Sequence, residues 1–273
     1  MSDRKEDQDL DPPGDAAGCL TAAEVEAVRR LYDGPRDAAT GERLTIGGPQ
    51  PGSELAWAGV FVPRAADQPI FSERIALDAL RNLVFESNPP PGFGLKDVRF
   101  DRATLDRLRP LHPLYDATDP DLSAFAAKGG KLILWHGWSD PHISPINTIA
   151  YHEAVGRSLG QQRTESFERL YLLPGVHHCS GGEGPSRVDL LTPMIEWVER
   201  GVAPDAVIAR APQAPTTGER SRPVYPYPSI ARYGGTGDPN AASSYVRAAP
   251  LVSAETPAWA GSDFYRPYPA RAR

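Results

Sequence analysis

Only two cysteines, Cys19 and Cys179, occur in the 273 residues. That excludes a disulfide-rich scaffold and any zinc cluster built on cysteines. No run of about 18 or more apolar residues occurs, which excludes a spanning helix. The opening MSDRKEDQDLDPPGD is charged and carries no apolar stretch, so no signal peptide is read there. No dense Lys/Arg block is present and the formal net charge is −6. A nucleic-acid partner is therefore not expected, nor is a membrane. What the chain does hold is 29 prolines and 25 glycines, enough to predict many long loops. Its apolar fraction of 40 % still supports a sizeable core, and its length suits one large domain or two small ones.

Residues 1–18 read as a loose acidic lead-in. Thr21 and Glu24 form a capping box, followed by Val25, Val28, Leu31 and Tyr32 on one helical face, and Asp33-Gly34-Pro35 ends that helix. Residues 34–58 hold repeated turn signals and are read as loops with a hairpin. A second helix is expected from about Ser72, as its cap, to Phe85. Short helices follow near Asp101–Leu108, ended by Pro110 and Pro113, and near Asp121–Ala127, closed by Gly129-Gly130. At Lys131 the composition changes. KLILWHG suits a fully buried strand, Asn147–Val155 a helix with an extension to Leu159 as the longer alternative, and FERLYLLPG a second buried strand. Ser186–Arg200 reads as helical, with Pro193 kinking it or Thr192 restarting it, and Gly201 ending it. Strand, helix, strand, helix predicts a parallel α/β sheet. Ten of the 29 prolines follow residue 210, so the tail is expected to run as an extended strap.

In a parallel sheet, ligands gather at the carboxyl ends of the strands. His136-Gly137-Trp138-Ser139-Asp140-Pro141 follows the first strand, and Gly175-Val176-His177-His178-Cys179-Ser180 follows the second. An Asp after one strand and a His after the next match the acid and base of an α/β-hydrolase triad, whose chain order is nucleophile, acid, base. Against this, Asp140 before Pro141 could simply cap a turn. The His177-His178 pair could be surface decoration or half of a metal site, although no third ligand stands at a familiar spacing. His136 is expected to pack beneath the site, and His142 and His152 to be ordinary surface or core residues. Gly156-Arg157-Ser158-Leu159-Gly160 spells a nucleophile elbow, but it follows a helix and lies after Asp140, which breaks the order. Ser180 follows the base by two residues and is rejected likewise.

GGKLILWHGWSDPHISPINTIAYHEAV and YLLPGVHHCSGGEGPSRVDLLTPMIEWVERGVAPD resemble the C-terminal part of the tannase/feruloyl esterase family. SRPVYPYPSIARYGGTGDPNAASSY resembles that family's C-terminal strap, and CLTAAEVEAVRRLYDGPRDAATGERL with PGSELAWAG resembles part of its lid. The resemblance covers roughly residues 19–247. It implies an irregular, mainly helical partial lid over residues 19–120. It also implies the second half of an α/β-hydrolase domain, with its strap, over residues 121–273. It makes Asp140 the catalytic acid and His178, not His177, the base. Cys179 then matches a cysteine that in relatives bonds the cysteine before the nucleophilic serine. The implied activity is Ser-His-Asp hydrolysis of aromatic, phenolic esters such as gallate and ferulate, with one branch acting on terephthalate monoesters, and no cofactor.

The chain departs from the family pattern in several places. The Cys-Ser-x-Gly-Gly elbow of relatives has no counterpart here, so no nucleophile is assigned and a truncated esterase with little activity of its own is expected. Asp3 to Asp15 show no convincing calcium pattern, and no metal is expected. Tyr225 and Arg247 stand where relatives carry a strap disulfide, and Cys19 would pair upstream. A non-catalytic binding or interaction module is the alternative reading, and a metal-dependent hydrolase using His177 and His178 a weak third. Relatives are commonly exported. The ester's identity and the oligomeric state are not readable.

Overall fold

The computed structural model describes residues 18–211, 219–250 and 256–268. The acidic lead-in expected over residues 1–18 lies, apart from Gly18, outside them. Helix α1 (Ala22–Asp33) opens on the predicted capping box: Glu24 N–H donates to Thr21 Oγ1 at 3.3 Å, and Thr21 N–H to the Glu24 carboxylate at 2.7 Å. The expected hairpin is a single antiparallel bridge between Arg36 and Arg43. Helix α2 (Phe71–Asn82) differs from its prediction at both ends. Ser72 lies inside the first turn and caps nothing. The N–H groups of Phe71 and Ser72 are instead taken by the carbonyls of Gly59 (2.9 Å) and Val60 (3.4 Å). The far end stops at Asn82, and Phe85 turns inward to pack against Phe93.

Asp101 caps α3 (Arg102–Leu108) by accepting the Thr104 N–H at 2.7 Å. Pro110 and Pro113 do not end the helical path there. Each sits in the first turn of the next segment, Arg109–Leu111 and α4 (His112–Tyr115), where no backbone donor is needed. Next come α5 (Ser123–Ala127), β1 (Leu132–Gly137), α6 (Pro145–Leu159), α7 (Gln161–Glu165) and β2 (Glu168–Leu173). They are followed by β3 (Arg187–Val188), α8 (Leu191–Arg200), β4 (Val207–Arg210), β5 (Ser221–Val224), β6 (Ile230–Tyr233) and β7 (Tyr245–Ala248). The helix expected from Ser186 therefore starts five residues later, because Arg187 and Val188 pair with β4. Asp189, not Thr192, receives the first free N–H groups, those of Leu191 and Thr192, both at 3.0 Å. Gly201 ends α8 in the left-handed region at φ 71°.

β1 and β2 run parallel, in register from Leu132 opposite Glu168 to Gly137 opposite Leu173. β3, β4 and β5 form an antiparallel sheet in that order, and β6 and β7 form a hairpin. The tail is thus more regular than an extended strap. Pro223 is accommodated because β5 is an edge strand. Tyr171, Leu173, Val176, Val207, Ala209 and Val224 form the buried core beneath these strands. Full burial of each Val or Leu is worth roughly 1.5–3 kcal/mol. β2 is largely buried, whereas β1 is only half-buried and its Trp135 is 36 % exposed. The expectation of a fully buried first strand fails because β1 pairs on one edge only among the described residues.

Candidate active site

The turns that carry Asp140 and His178 leave adjacent parallel strands at the same end, and backbone hydrogen bonds tie them together. Trp138 N–H donates to Leu173 O, and Ser139 N–H to Val176 O, both at 2.9 Å. Gly137 makes this approach possible, since a Cβ there would stand 2.3 Å from His177 O and 2.5 Å from Val176 O. The two turns therefore cross at a distance that only glycine permits.

Across this crossing His178 Nδ1–H donates to Asp140 Oδ2 at 2.7 Å. The other carboxylate oxygen, Oδ1, accepts the backbone N–H groups of His142 (2.7 Å) and Ile143 (3.0 Å). The turn-capping reading of Asp140 is thus realised on Oδ1, and Oδ2 is the oxygen that meets His178. His136 Nε2 lies 3.1 Å from Ile143 O and 3.3 Å from Asp140 Oδ2, while its Nδ1 meets Thr148 Oγ1 at 2.7 Å. Burial favours the neutral acid at Asp140, which is 2 % exposed, but these donors outweigh it. Hydrogen bonds from His136, from the Ile143 and His142 amides, and from His178 hold the carboxyl well below the usual range. A carboxylate fixed in this way holds the imidazole with its proton on Nδ1 and leaves Nε2 free to accept one. The His178 side chain is 51 % exposed, and among the described residues its Nε2 makes no hydrogen bond.

The other candidates fall out as follows. His136 does pack beneath the acid, and it is a direct donor to it. His142 is not an ordinary surface residue. Its ring stands edge-on to His178 at 5.6 Å and to Phe71 at 5.1 Å. Burial lowers its pKa, with Asp140 acting in the opposite sense and His178 reinforcing the drop. His152 is a core residue, as one of the two expectations had it, buried and bonded through Nδ1 to Glu168 Oε1 at 2.8 Å, at the start of β2 and far along the strand from His178. His177 Nε2 is buried without a partner among the described residues. Ser158 lies in the last turn of α6. Cys179 and Cys19 are free and exposed, and Cys179 adopts a positive φ of 64°. Among the described residues no group of three or more His, Cys, Asp or Glu side chains is placed to hold a metal ion.

A cleft of about 440 Å³ opens beside His178, lined also by Leu55, Ala56, Ala58, Val60, Arg64, Pro141, His142 and His177. Part of this wall falls in the lid-like segment PGSELAWAG, but nothing in the sequence placed that segment against His178, because this loop lies more than 70 residues before Asp140. Gly52 shows how closely that loop sits on the acid turn: a Cβ there would stand 3.0 Å from Ser139 Oγ.

The family model described as tannase and feruloyl esterase matches residues 5–248. A mono(2-hydroxyethyl) terephthalate hydrolase from Piscinibacter sakaiensis is 46 % identical over 138 residues, covering 50 % of this chain and 23 % of that protein. A probable feruloyl esterase from Arthroderma benhamiae is 31 % identical over 249 residues, covering 85 % and 43 %. Among solved structures, an esterase from Aspergillus oryzae superposes with a TM-score of 0.71 at 25 % identity, covering 87 % of this chain and 48 % of that one. Feruloyl esterase B from the same organism gives 0.69 at 25 % identity, covering 84 % and 46 %. The chain spans less than half the length of these relatives. With its fold and sequence both matched over most of its residues, the chain belongs to the tannase and feruloyl esterase family.

Proposed function

We propose that this chain carries the base and acid of a serine carboxylesterase acting on aromatic esters, His178 and Asp140, and that the attacking serine lies outside its described residues. The single observation that carries the reading is the 2.7 Å hydrogen bond from His178 Nδ1 to a buried, ionised Asp140. His178 Nε2 would take the proton of the attacking hydroxyl and return it to the leaving alcohol. Asp140 would stabilise the imidazolium formed in between. Residues 19–120 would form part of the lid and residues 121–273 the second half of the hydrolase domain. The aromatic class is supported by relatives named for ferulate and terephthalate esters and by the apolar wall facing His178.

The test is hydrolysis of methyl ferulate, methyl gallate and a nitrophenyl ester. The chain alone is expected to show almost no turnover. Joined in frame to an upstream segment bearing a Cys-Ser-x-Gly-Gly elbow, it is expected to turn over, and His178→Ala should then cost about 10⁴–10⁶ in rate. Turnover by the chain alone that is abolished by His178→Ala would place the nucleophile within it, with Ser180 and Ser158 examined first. Turnover indifferent to His178→Ala would remove the base assignment. A joined protein that folds yet stays inactive would favour the binding-module reading.

A further inference from the structure

We propose that a cavity on the strap side of β2 is a second ligand site, and that it binds an amphipathic carboxylate, an apolar chain ending in an anionic head. The cavity measures about 710 Å³, within the ~300–1,000 Å³ typical of small-molecule sites. It shares no lining residue with the cleft beside His178. Its wall is mostly apolar, with Ile149, Leu172, Pro174, Val224, Ile230 and Pro250 among the side chains that face it. The cavity also lies away from the open edge of the parallel pair. β2 pairs with β1 on one side, and on the other Tyr171 bridges to Pro226 and Tyr227 N–H donates to Leu170 O at 2.8 Å. The strap is thereby fixed against β2, and a strand added at β1 would extend the sheet away from the cavity.

The head group is specified by two arginines. Arg220 and Arg222 stand on either side of Ser221 at the start of β5, and both line the cavity, with Ala209 of β4 opposite Arg222. Among the described residues neither enters an ion pair, whereas the neighbouring Arg210 is paired with Glu219 and Arg247 with Asp205. Each spends one donor on a carbonyl. Arg220 Nη2 donates to Glu183 O at 3.2 Å, and Arg222 Nη1 to Ser221 O at 2.8 Å. A guanidinium has five N–H groups, so most remain unspent. Arg222 is further held by the Tyr245 ring, 4.5 Å from its centre. Glu183 is the one carboxylate on the wall, and it is exposed. The hydroxyls of Tyr227 and Tyr245 are committed elsewhere, to Glu153 and to Pro239 O. An entering ligand therefore meets a surplus of positive charge and planar donors at β5, which a carboxylate matches. Elsewhere it meets apolar surface, which an alkyl chain covers with gain.

The experiment is an NMR titration of the purified chain with octanoate, ionised at about pH 7, and with octanol, its uncharged counterpart. Octanoate is expected to bind about tenfold or more tightly, as charge-assisted contacts imply, and the preference should shrink as salt is raised. The amide signals of Gly175, Gly184, Ala209 and Ala231 should move on titration, while those of Leu55 to Arg64 stay in place. Arg220→Gln combined with Arg222→Gln should remove the preference and leave octanol binding intact, and the corresponding pair of Lys substitutions should keep part of it. Ala231→Phe, which fills the cavity, should block both probes. Equal affinity for the two probes overturns the proposal, as does failure of both to bind. Shifts confined to the cleft beside His178 overturn it too, as does a preference that survives the double Gln substitution. Should that variant fail to fold, the shift map and the salt dependence of the unaltered chain decide between the same outcomes.

Discussion

At Asp140 one carboxylate does two jobs, and the division explains its protonation. Oδ1 closes the turn that starts the cleft, and Oδ2 orients His178. Because its folded pKa is depressed, the stability that Asp140 contributes is present above its ordinary value of 3.8 and is lost as pH falls through the lower folded value. Asp140→Asn is therefore expected to destabilise the chain by an amount that is constant between about pH 5 and 7 and shrinks below about pH 4. Urea midpoints of both proteins across that range check this. The same variant in a serine-bearing form should lose about 10⁴ in rate, because an amide can hold the imidazole in the wrong tautomer. His178→Ala removes a donor from the buried carboxylate and should itself destabilise the chain by about 1–3 kcal/mol, although the side chain lost is half-exposed.

Helix starts in this chain are satisfied in two different ways. α1 relies on a local side-chain box, so Thr21→Ala should destabilise that helix by roughly 0.5–2 kcal/mol. α2 relies on carbonyls of the Trp57–Val62 loop, so Ser72→Ala should cost less than about 0.5 kcal/mol despite its position next to the helix start. Hydrogen exchange at the first-turn amides of the two helices distinguishes these outcomes. β1 carries a different liability. Its outer edge is unpaired among the described residues and its Trp135 is exposed. A charged residue on such an edge opposes strand-to-strand association. Trp135→Lys is expected to lower self-association of the purified chain, measured by light scattering against concentration.

Over the whole molecule, distant segments are joined mostly by side-chain clasps rather than by continuous sheet. Arg109 reaches Asp263 at 2.7 Å and stacks on Phe264, and Tyr265 donates to Asn147 at 2.9 Å. The strap is held in the same manner. Tyr225 and Arg247, read from sequence as joint replacements for a disulfide, are in contact, with the guanidinium 4.8 Å from the ring centre and paired to Asp205. A partly exposed stack of this kind is worth about 0.5–1 kcal/mol, well short of the ~2–4 kcal/mol of a typical disulfide. Arg247→Ala is expected to lower Tm by about 1–4 °C, as calorimetry would show.

Features legible in the residues alone were local or motif-borne. The Thr21–Glu24 cap, the β1-α6-β2 order and the left-handed Gly201 follow from residues within a few positions of one another. Asp140 and His178 were legible because strand ends bring such residues together in any parallel pair. Tertiary structure decided the rest. Ser186–Arg200 carries a helical pattern throughout, yet Arg187 and Val188 go to a strand because β4 is there to pair with them. Ser72 looks like a cap, but loop carbonyls arrive first. Arg64 has no motif, and it shares a cleft with His142 and His178 only because residues 52–64 fold back over the Asp140 turn. The physical reason is one of range: capping and periodicity act over a single turn, whereas the walls of the cleft meet across more than 70 residues of chain.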